Sequence, residues 1–184
     1  DLRPEQLAAN REQADRICAG DAQQPQWVEG DSKHAQVLAV AMRADFVFSC
    51  PPYADLEQYS DDPRDLSTME YPAFCEAYRA IVAASMALLK PDRFACFVVG
   101  DVRDKKGLYR GFPEMTVEAF RAAGAGKYNE AILVTAVGSL PIRVGKQFDA
   151  GRKLGKTHQN VLIFVKGDPK RAAEACNGQL ELPA

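Results

Sequence analysis

The chain has 184 residues, 47% of them apolar and 26% charged, with a formal net charge of −2 at pH 7. That length supports one domain with a real core and not comfortably two. No apolar run approaches the ~20 residues that cross a bilayer. The polar start, Asp1-Leu2-Arg3-Pro4-Glu5, is unlike a signal peptide. Five cysteines, Cys18, Cys50, Cys75, Cys96 and Cys176, form no Cys-x-x-Cys pair. Their odd number points to reduced thiols and a cytoplasmic compartment. The two histidines lie far apart, so zinc-ligand spacing is absent and no metal is expected. A slightly acidic total does not announce a nucleic-acid binder, although it can conceal a local basic patch.

In chain order, Pro4 to about Ala19 reads as a helix, with proline in its first turn and Gly20 as its stop. Gln26-Trp27-Val28-Glu29 is a short strand candidate. Gly30-Asp31-Ser32 then opens a helix running to about Arg43, with Val37, Leu38, Ala41 and Met42 on one face, and Asp31 and Ser32 suit an N-cap. Asp45-Phe46-Val47-Phe48 reads as a buried parallel strand. It stops at Pro51-Pro52, because proline cannot donate to a strand ladder. Residues 54–67 are rich in turn formers and read as a loop, in which Glu57 and Tyr59 are candidates to position a substrate.

A long helix follows from about Glu70 to Leu89, with Phe74, Tyr78, Ile81, Ala84 and Leu88 as its apolar stripe. Phe94 to Val99 is the next strand, followed by Gly100-Asp101-Val102-Arg103 and a polar turn at residues 104–107. Thr116 is a candidate cap for a helix through Val117, Phe120 and Ala123, closed by Gly124 and Gly126. Residues 131–137 and 160–165 are two further apolar strands. The link between them, Gly138 to Gln159, reads as a mobile glycine-containing loop. It carries Arg143, Lys146, Arg152, Lys153 and Lys156 against Asp149 alone, a patch suited to a phosphate backbone. Residues 169–184 read as a loosely packed polar tail.

The chemistry concentrates at Ser49-Cys50-Pro51-Pro52-Tyr53. Proline forces the residue before it into an extended conformation, so the Cys50 and Pro51 carbonyls are rigid acceptors at the carboxyl end of a strand. Ligands bind at that edge in open α/β sheets. Beside them, Tyr53 offers a flat face, and the combination suits a planar ring bearing an exocyclic amine.

This stretch resembles the Asp/Asn/Ser-Pro-Pro-Tyr motif of the amino-methyltransferases that use S-adenosylmethionine and modify adenine N6 or cytosine N4 in DNA. Gly30-Asp31-Ser32 at its spacing upstream strengthens the resemblance, which covers roughly Asp1 to Lys166. It implies an α/β, Rossmann-like sheet, mostly parallel with an antiparallel last strand, whose first strand and glycine-rich motif are missing. It further implies a partial catalytic domain over residues 1–168 and a site-specific DNA methyltransferase of the restriction-modification kind. Ser49, Cys50, Pro51, Pro52 and Tyr53 would be catalytic. Asp1 would bind the ribose hydroxyls of S-adenosylmethionine, Asp31 its adenine amine, and Ser32 would be the third cofactor-binding residue.

Double-stranded DNA, with the target base flipped out, is the implied partner, held by the basic residues 143–156 and by His158. The segment Thr157-His158-Gln159-Asn160 is similar to a His-Glu segment of such enzymes, with glutamine in place of glutamate. Cys50 is a departure from the motif, since a thiol is a weak acceptor; Pro51 and Tyr53 then carry more of the chemistry. An upstream segment or second chain would complete the cofactor site. RNA, a protein glutamine amide, or a non-catalytic nucleic-acid-binding role are the alternatives. The absence of Gly-x-Gly-x-x-Gly argues against a nucleotide-dependent oxidoreductase.

Overall fold

A computed structural model describes residues 1–21, 23–39, 42–134 and 140–177, without the side chains of residues 36, 55 and 140–143. Helix α1 spans Pro4–Ile17 and ends before Gly20, whose φ of +94° suits glycine. The expected strand at 26–29 does not form. Instead the segment is tied to Asp1, whose amino terminus donates to the Val28 carbonyl at 3.0 Å while Gly30 N–H donates to the Asp1 carbonyl at 2.9 Å. Two bonds from alternate residues to one residue are the parallel-bridge pattern, stopped after one residue.

The helix expected as far as Arg43 is far shorter. A 3-10 turn, Ser32–His34, leads into α2, Ala35–Leu38, a single turn. Val37, Leu38 and Met42 are exposed, so no core face forms to extend it; Ala41 lies outside the described residues.

Four strands form one sheet: β1 (Ala44–Ser49), β2 (Leu89–Val99), β3 (Ala125–Val134) and β4 (His158–Lys166), in the order β1-β2-β4-β3. β1 and β2 are parallel, whereas β4 is antiparallel to both β2 and β3. Three strands therefore point one way, and the last is inserted the other way between two of them, as the resemblance implies. β3 begins at Ala125, so Gly126 belongs to a strand and does not close a helix. Residues 135–137, expected in that strand, lie outside the described residues.

Helices α3 (Tyr71–Leu88) and α4 (Phe112–Ala122) cover one face of the sheet. In α4 the buried residues Phe112, Met115, Thr116, Ala119 and Phe120 recur at helical spacing. Facing them are Ala95, Phe97 and Val99 of β2 and Leu162 and Phe164 of β4. Phe120 stacks on Phe164 at 3.8 Å and meets Phe97 edge-on at 4.8 Å. In α3, Val82 and Met86 are buried beside Phe74 and Tyr78, while Ile81 and Leu88 sit half-buried at the margin of the stripe.

Two buried-side expectations change. β1 is parallel to β2 but is not buried on both faces: Phe46 and Phe48 are 54% and 62% exposed. Strand alternation turns Val47 towards the core and its two phenylalanine neighbours to the opposite face. Thr116 does not cap α4; it lies inside the helix, fully buried, bonding the Phe112 carbonyl at 2.9 Å and the Tyr78 hydroxyl at 3.1 Å. The capping acceptor is Asp101, ten residues earlier than the helix entrance. Its carboxylate takes the N–H groups of Val102, Gly111 and Phe112 at 2.9, 3.0 and 3.3 Å.

The basic link is a helix over much of its length, α5, Leu140–Gly151, and not a loop. Beyond β4, residues 169–175 form α6 (Pro169–Ala175), which is capped by Asp168 and buries Ala172 completely against the sheet. The expected loose tail is thus partly packed.

Candidate active site

β1 delivers Ser49 as its last residue, half-buried, with its backbone in register with Phe97 of β2. Cys50 follows, exposed, then Pro51, Pro52 and Tyr53, each half-buried at the carboxyl edge. A cavity of about 300 Å³ opens here, lined by Cys50, Pro51, Pro52, Tyr53, Leu56, Glu57, Tyr59 and Gln159. Directly after it, Ala54 holds a φ of +54° with 1% exposure. This region costs a non-glycine residue roughly 1–3 kcal/mol, and burial in the core holds it in place.

Three contacts fix Tyr53. Its ring meets Phe112 edge-on at 6.0 Å. Gly100, at the end of β2, lies against its outer edge; a Cβ there would sit 3.4 Å from the ring. Its hydroxyl accepts a short hydrogen bond from the Gln159 amide. Burial raises the phenol above its ordinary value, with the Gln159 bond opposing, so Tyr53 stays neutral at physiological pH.

Glu57 and Tyr59 both reach this cavity. The Tyr59 hydroxyl donates to Glu57 at 2.6 Å, which raises its own pKa. Behind them the loop is ordered by Asp65, which accepts from Ser67 N–H, Ser67 Oγ and Ser60 Oγ at 2.9, 2.8 and 2.7 Å. Desolvation pushes the Asp65 carboxyl up, but these donors outweigh it and leave it below the ordinary value. Arg64 holds Asp62 down to about 2.

A second cavity of about 220 Å³ shares Pro52 and Tyr59 with the first. Asp1, Asp31 and Ser32 all line it, together with Asp65, Arg3 and Arg64. The structure therefore brings the three expected cofactor residues together, next to the proline pair. Asp31 also caps the following turn, accepting from Lys33 N–H at 2.9 Å and pairing with Lys33 Nζ at 3.2 Å. Asp1 accepts from Arg3 N–H at 2.9 Å. Three carboxylates and a hydroxyl in one recess offer acceptors that fit the amine and ribose hydroxyls of S-adenosylmethionine, with Arg3 and Arg64 offsetting much of the negative charge. At 220 Å³ the recess is smaller than the ~300 Å³ of ordinary small-molecule sites, so it fits a part of that molecule.

His158 and Gln159 separate. Alternation along β4 sends Gln159 to Tyr53, while His158 is exposed in a different recess with Lys156, Asp101 and Glu114. Gln159 and Phe112 are the positioning residues that the sequence did not single out, and the alternation within Thr157-His158-Gln159-Asn160 carried the only signal for the first. Lys146 and Arg152 are exposed, and Lys153 and Lys156 are half-buried. Arg143 falls in α5, but its side chain lies outside the described residues. No group of three His, Cys, Asp or Glu among the described residues could hold a metal ion, and no described helix is long and apolar enough to cross a membrane.

Arranged this way, the chain has a Rossmann-like methyltransferase sheet, with its recesses at the carboxyl edge. No protein-family model and no curated protein sequence matches it. Solved structures do. TTHA0409 of Thermus thermophilus, a candidate DNA modification methylase, superimposes with a TM-score of 0.53 at 20% identity, over 84% of this chain and 54% of its own. The same protein complexed with S-adenosyl-L-methionine gives 0.51 at 20% identity, over 84% and 56%. TrmN from Thermus thermophilus gives 0.55 at 14% identity, over 90% of this chain and 35% of its own. The chain thus spans about half the length of TTHA0409, and at these identities the likeness is one of fold.

Proposed function

We propose that this chain is part of an S-adenosylmethionine-dependent methyltransferase acting on the exocyclic amine of adenine (N6) or cytosine (N4) in DNA. The observation that carries the reading is the sharing of Pro52 and Tyr59 by two recesses, one carrying Asp1, Asp31 and Ser32 and the other Cys50 to Tyr53. A donor site and an acceptor site for group transfer must meet in this way. Residues 1–168 carry the catalytic fold, in a cytoplasmic protein whose remaining segment or second chain extends the small cofactor recess.

When bound, S-adenosylmethionine supplies an electrophilic methyl group on a sulfonium. Asp31 and Asp1 hold its amine and ribose hydroxyls. In the other recess, the Cys50 and Pro51 carbonyls accept the hydrogens of the target amine, favouring the pyramidal nitrogen whose lone pair reacts. Neither carbonyl is consumed by the turn that follows, whose first bond runs from Leu56 N–H to the Tyr53 carbonyl at 3.3 Å. Tyr53, neutral and held by Gln159, stacks on the base once it has left its duplex. Cys50 is exposed, and among the described residues no histidine or lysine lines its recess, which favours amine chemistry over a cysteine adduct.

The test is methyl transfer from S-adenosylmethionine to duplex DNA by the full-length protein, followed by mass spectrometry of the nucleosides. Methylated adenine or cytosine amine is expected, and Tyr53→Ala should abolish it. With cofactor bound and no DNA product, RNA or protein glutamine becomes the substrate. Without cofactor binding, Cys50 in place of an acceptor side chain marks a non-catalytic nucleic-acid-binding module.

A further inference from the structure

Beyond β2 the chain forms a short hairpin across residues 102–110. Arg103 and Tyr109 pair as an antiparallel bridge, and Arg110 N–H donates to the Val102 carbonyl at 2.9 Å. Asp104 N–H bonds the Leu108 carbonyl at 2.8 Å, and Gly107 N–H bonds the Asp104 carbonyl at 2.9 Å. The Arg103 guanidinium ties down the tip by donating to the Gly107 carbonyl at 2.8 Å, and lies 3.9 Å over the Tyr109 ring. Asp104, the hairpin's sole acid, is turned onto Leu108 N–H at 2.8 Å. Lys105 and Lys106 are left exposed at the tip and make no ion pair with described residues.

This hairpin is not isolated from the basic segment that precedes β4. Lys153 lies on Gly107, where a Cβ would come within 2.6 Å of its ammonium nitrogen, and Gly107 has a φ of +89°. Lys156 approaches the outside of Tyr109 at 5.9 Å. Residues 102–110 and 144–158 together contain eight lysines and arginines against two aspartates, in a chain whose total charge is −2. A single exposed lysine is ordinary solvation. Two chain segments that are distant in sequence, packed on each other and both basic, concentrate field at one place. That place is the carboxyl edge, because the hairpin leaves β2 through Gly100, which touches Tyr53.

We propose that the 102–110 hairpin is a polynucleotide-binding element, in which Lys105 and Lys106 contact consecutive backbone phosphates beside the target-base recess. Lys153 and Lys156 extend the track. The inference rests on the reading of a nucleic-acid substrate, and it adds a binding element outside the basic segment already assigned. Phosphodiester is the chemistry recognised, whether in duplex DNA, single-stranded DNA or RNA.

The experiment is fluorescence anisotropy of the full-length protein with a labelled short duplex, the matching single strand and an RNA of the same sequence, across about 50–200 mM salt. In the Lys105→Gln/Lys106→Gln double variant, the slope of log affinity against log salt on duplex DNA should become shallower by about 1.8, since each lost phosphate contact removes ~0.9. Lys170→Gln, an exposed lysine of α6, should leave the slope unchanged. The ligand that loses the most phosphate contacts, its slope change divided by ~0.9 for duplex DNA or ~0.7 for a single strand, identifies the polynucleotide form. Gly107→Ala, which displaces Lys153, should weaken binding in the same direction. Unchanged slopes on all three ligands in the double variant overturn the hairpin's role without touching the methyl-transfer reading. Conversely, a shallower slope with no methylated product would sustain the hairpin while the catalytic reading fails.

Discussion

The hydrogen bond from Gln159 to the Tyr53 hydroxyl joins β4 to the turn after β1, and a double-mutant cycle isolates it. Tyr53→Phe removes only the acceptor oxygen, and Gln159→Leu removes the donor with little change of volume. A net bond of this kind contributes about 0.5–1.5 kcal/mol. Because Tyr53 is half-buried beside a cavity, water replaces part of the loss, and each single change should cost about 1 kcal/mol. For a chain of this size that is a fall of roughly 2–4 °C in Tm. The double variant should cost little more than either alone, a coupling of about 1 kcal/mol against the ~0.3–0.5 kcal/mol scatter of independent sites. Turnover should respond more strongly, because a displacement of about 1 Å in a positioned group can cost about 100-fold. The expected result is therefore a modest stability loss with a roughly 10- to 100-fold fall in methyl transfer for Gln159→Leu. Urea unfolding of the four proteins supplies the cycle. Strict additivity would refute the argument, since it would mean the bond contributes nothing to holding the ring.

The buried Tyr78–Thr116 pair predicts an asymmetry. The Thr116 hydroxyl donates to the Phe112 carbonyl, so Tyr78 must be the donor to Thr116. Tyr78→Phe then leaves every donor satisfied and should cost about 1 kcal/mol, whereas Thr116→Val strands a buried phenol and should cost about 1–3 kcal/mol; denaturant unfolding showing the reverse order would rule this out. Asp65 sets the acid limit of the loop at 58–68. Its folded pKa is depressed, so its contribution is complete above the ordinary aspartate value of about 3.9 and is lost as pH falls through the lower folded value. Asp65→Asn should accordingly lower stability at pH 7 by about 1 kcal/mol and flatten the acid limb of the stability profile. A variant that unfolds in acid as the parent does would discount the ordering role of Asp65.

The parts of this molecule that were legible in the sequence share a cause. Runs such as Phe94 to Val99, long apolar helices and prolines impose their conformation locally, so the cores of β1, β2 and β4, α3 and the Pro51-Pro52 stop follow from the sequence directly, whereas no strand forms at 26–29 and β3 starts at Ala125, six residues before the expected run. What escaped was set by distant partners. Asp101 caps a helix that begins eleven residues later, and Thr116, a capping residue by type, was drawn inward by Tyr78. The glycines at 145 and 151 each disfavour a helix by about 1 kcal/mol relative to alanine, so local propensity points to a loop where α5 forms. At the site, the motif was evident from its own residues, but the choice of Gln159 over His158 depended on which face of β4 meets Tyr53.

The inserted β4 has a consequence for how such a molecule can change. Its pairing to β2 runs from Asn160 to Lys166 and its pairing to β3 from His158 to Lys166, so neighbours on both sides hold its register. A one-residue slip would turn every side chain over, and two ladders oppose it. The residues that feed the strand, 152–157, lie outside both ladders. Insertions, deletions and new charges can therefore accumulate there without shifting the amide that steadies Tyr53. Innovation in what the protein grips is thereby uncoupled from the atoms that would do the chemistry.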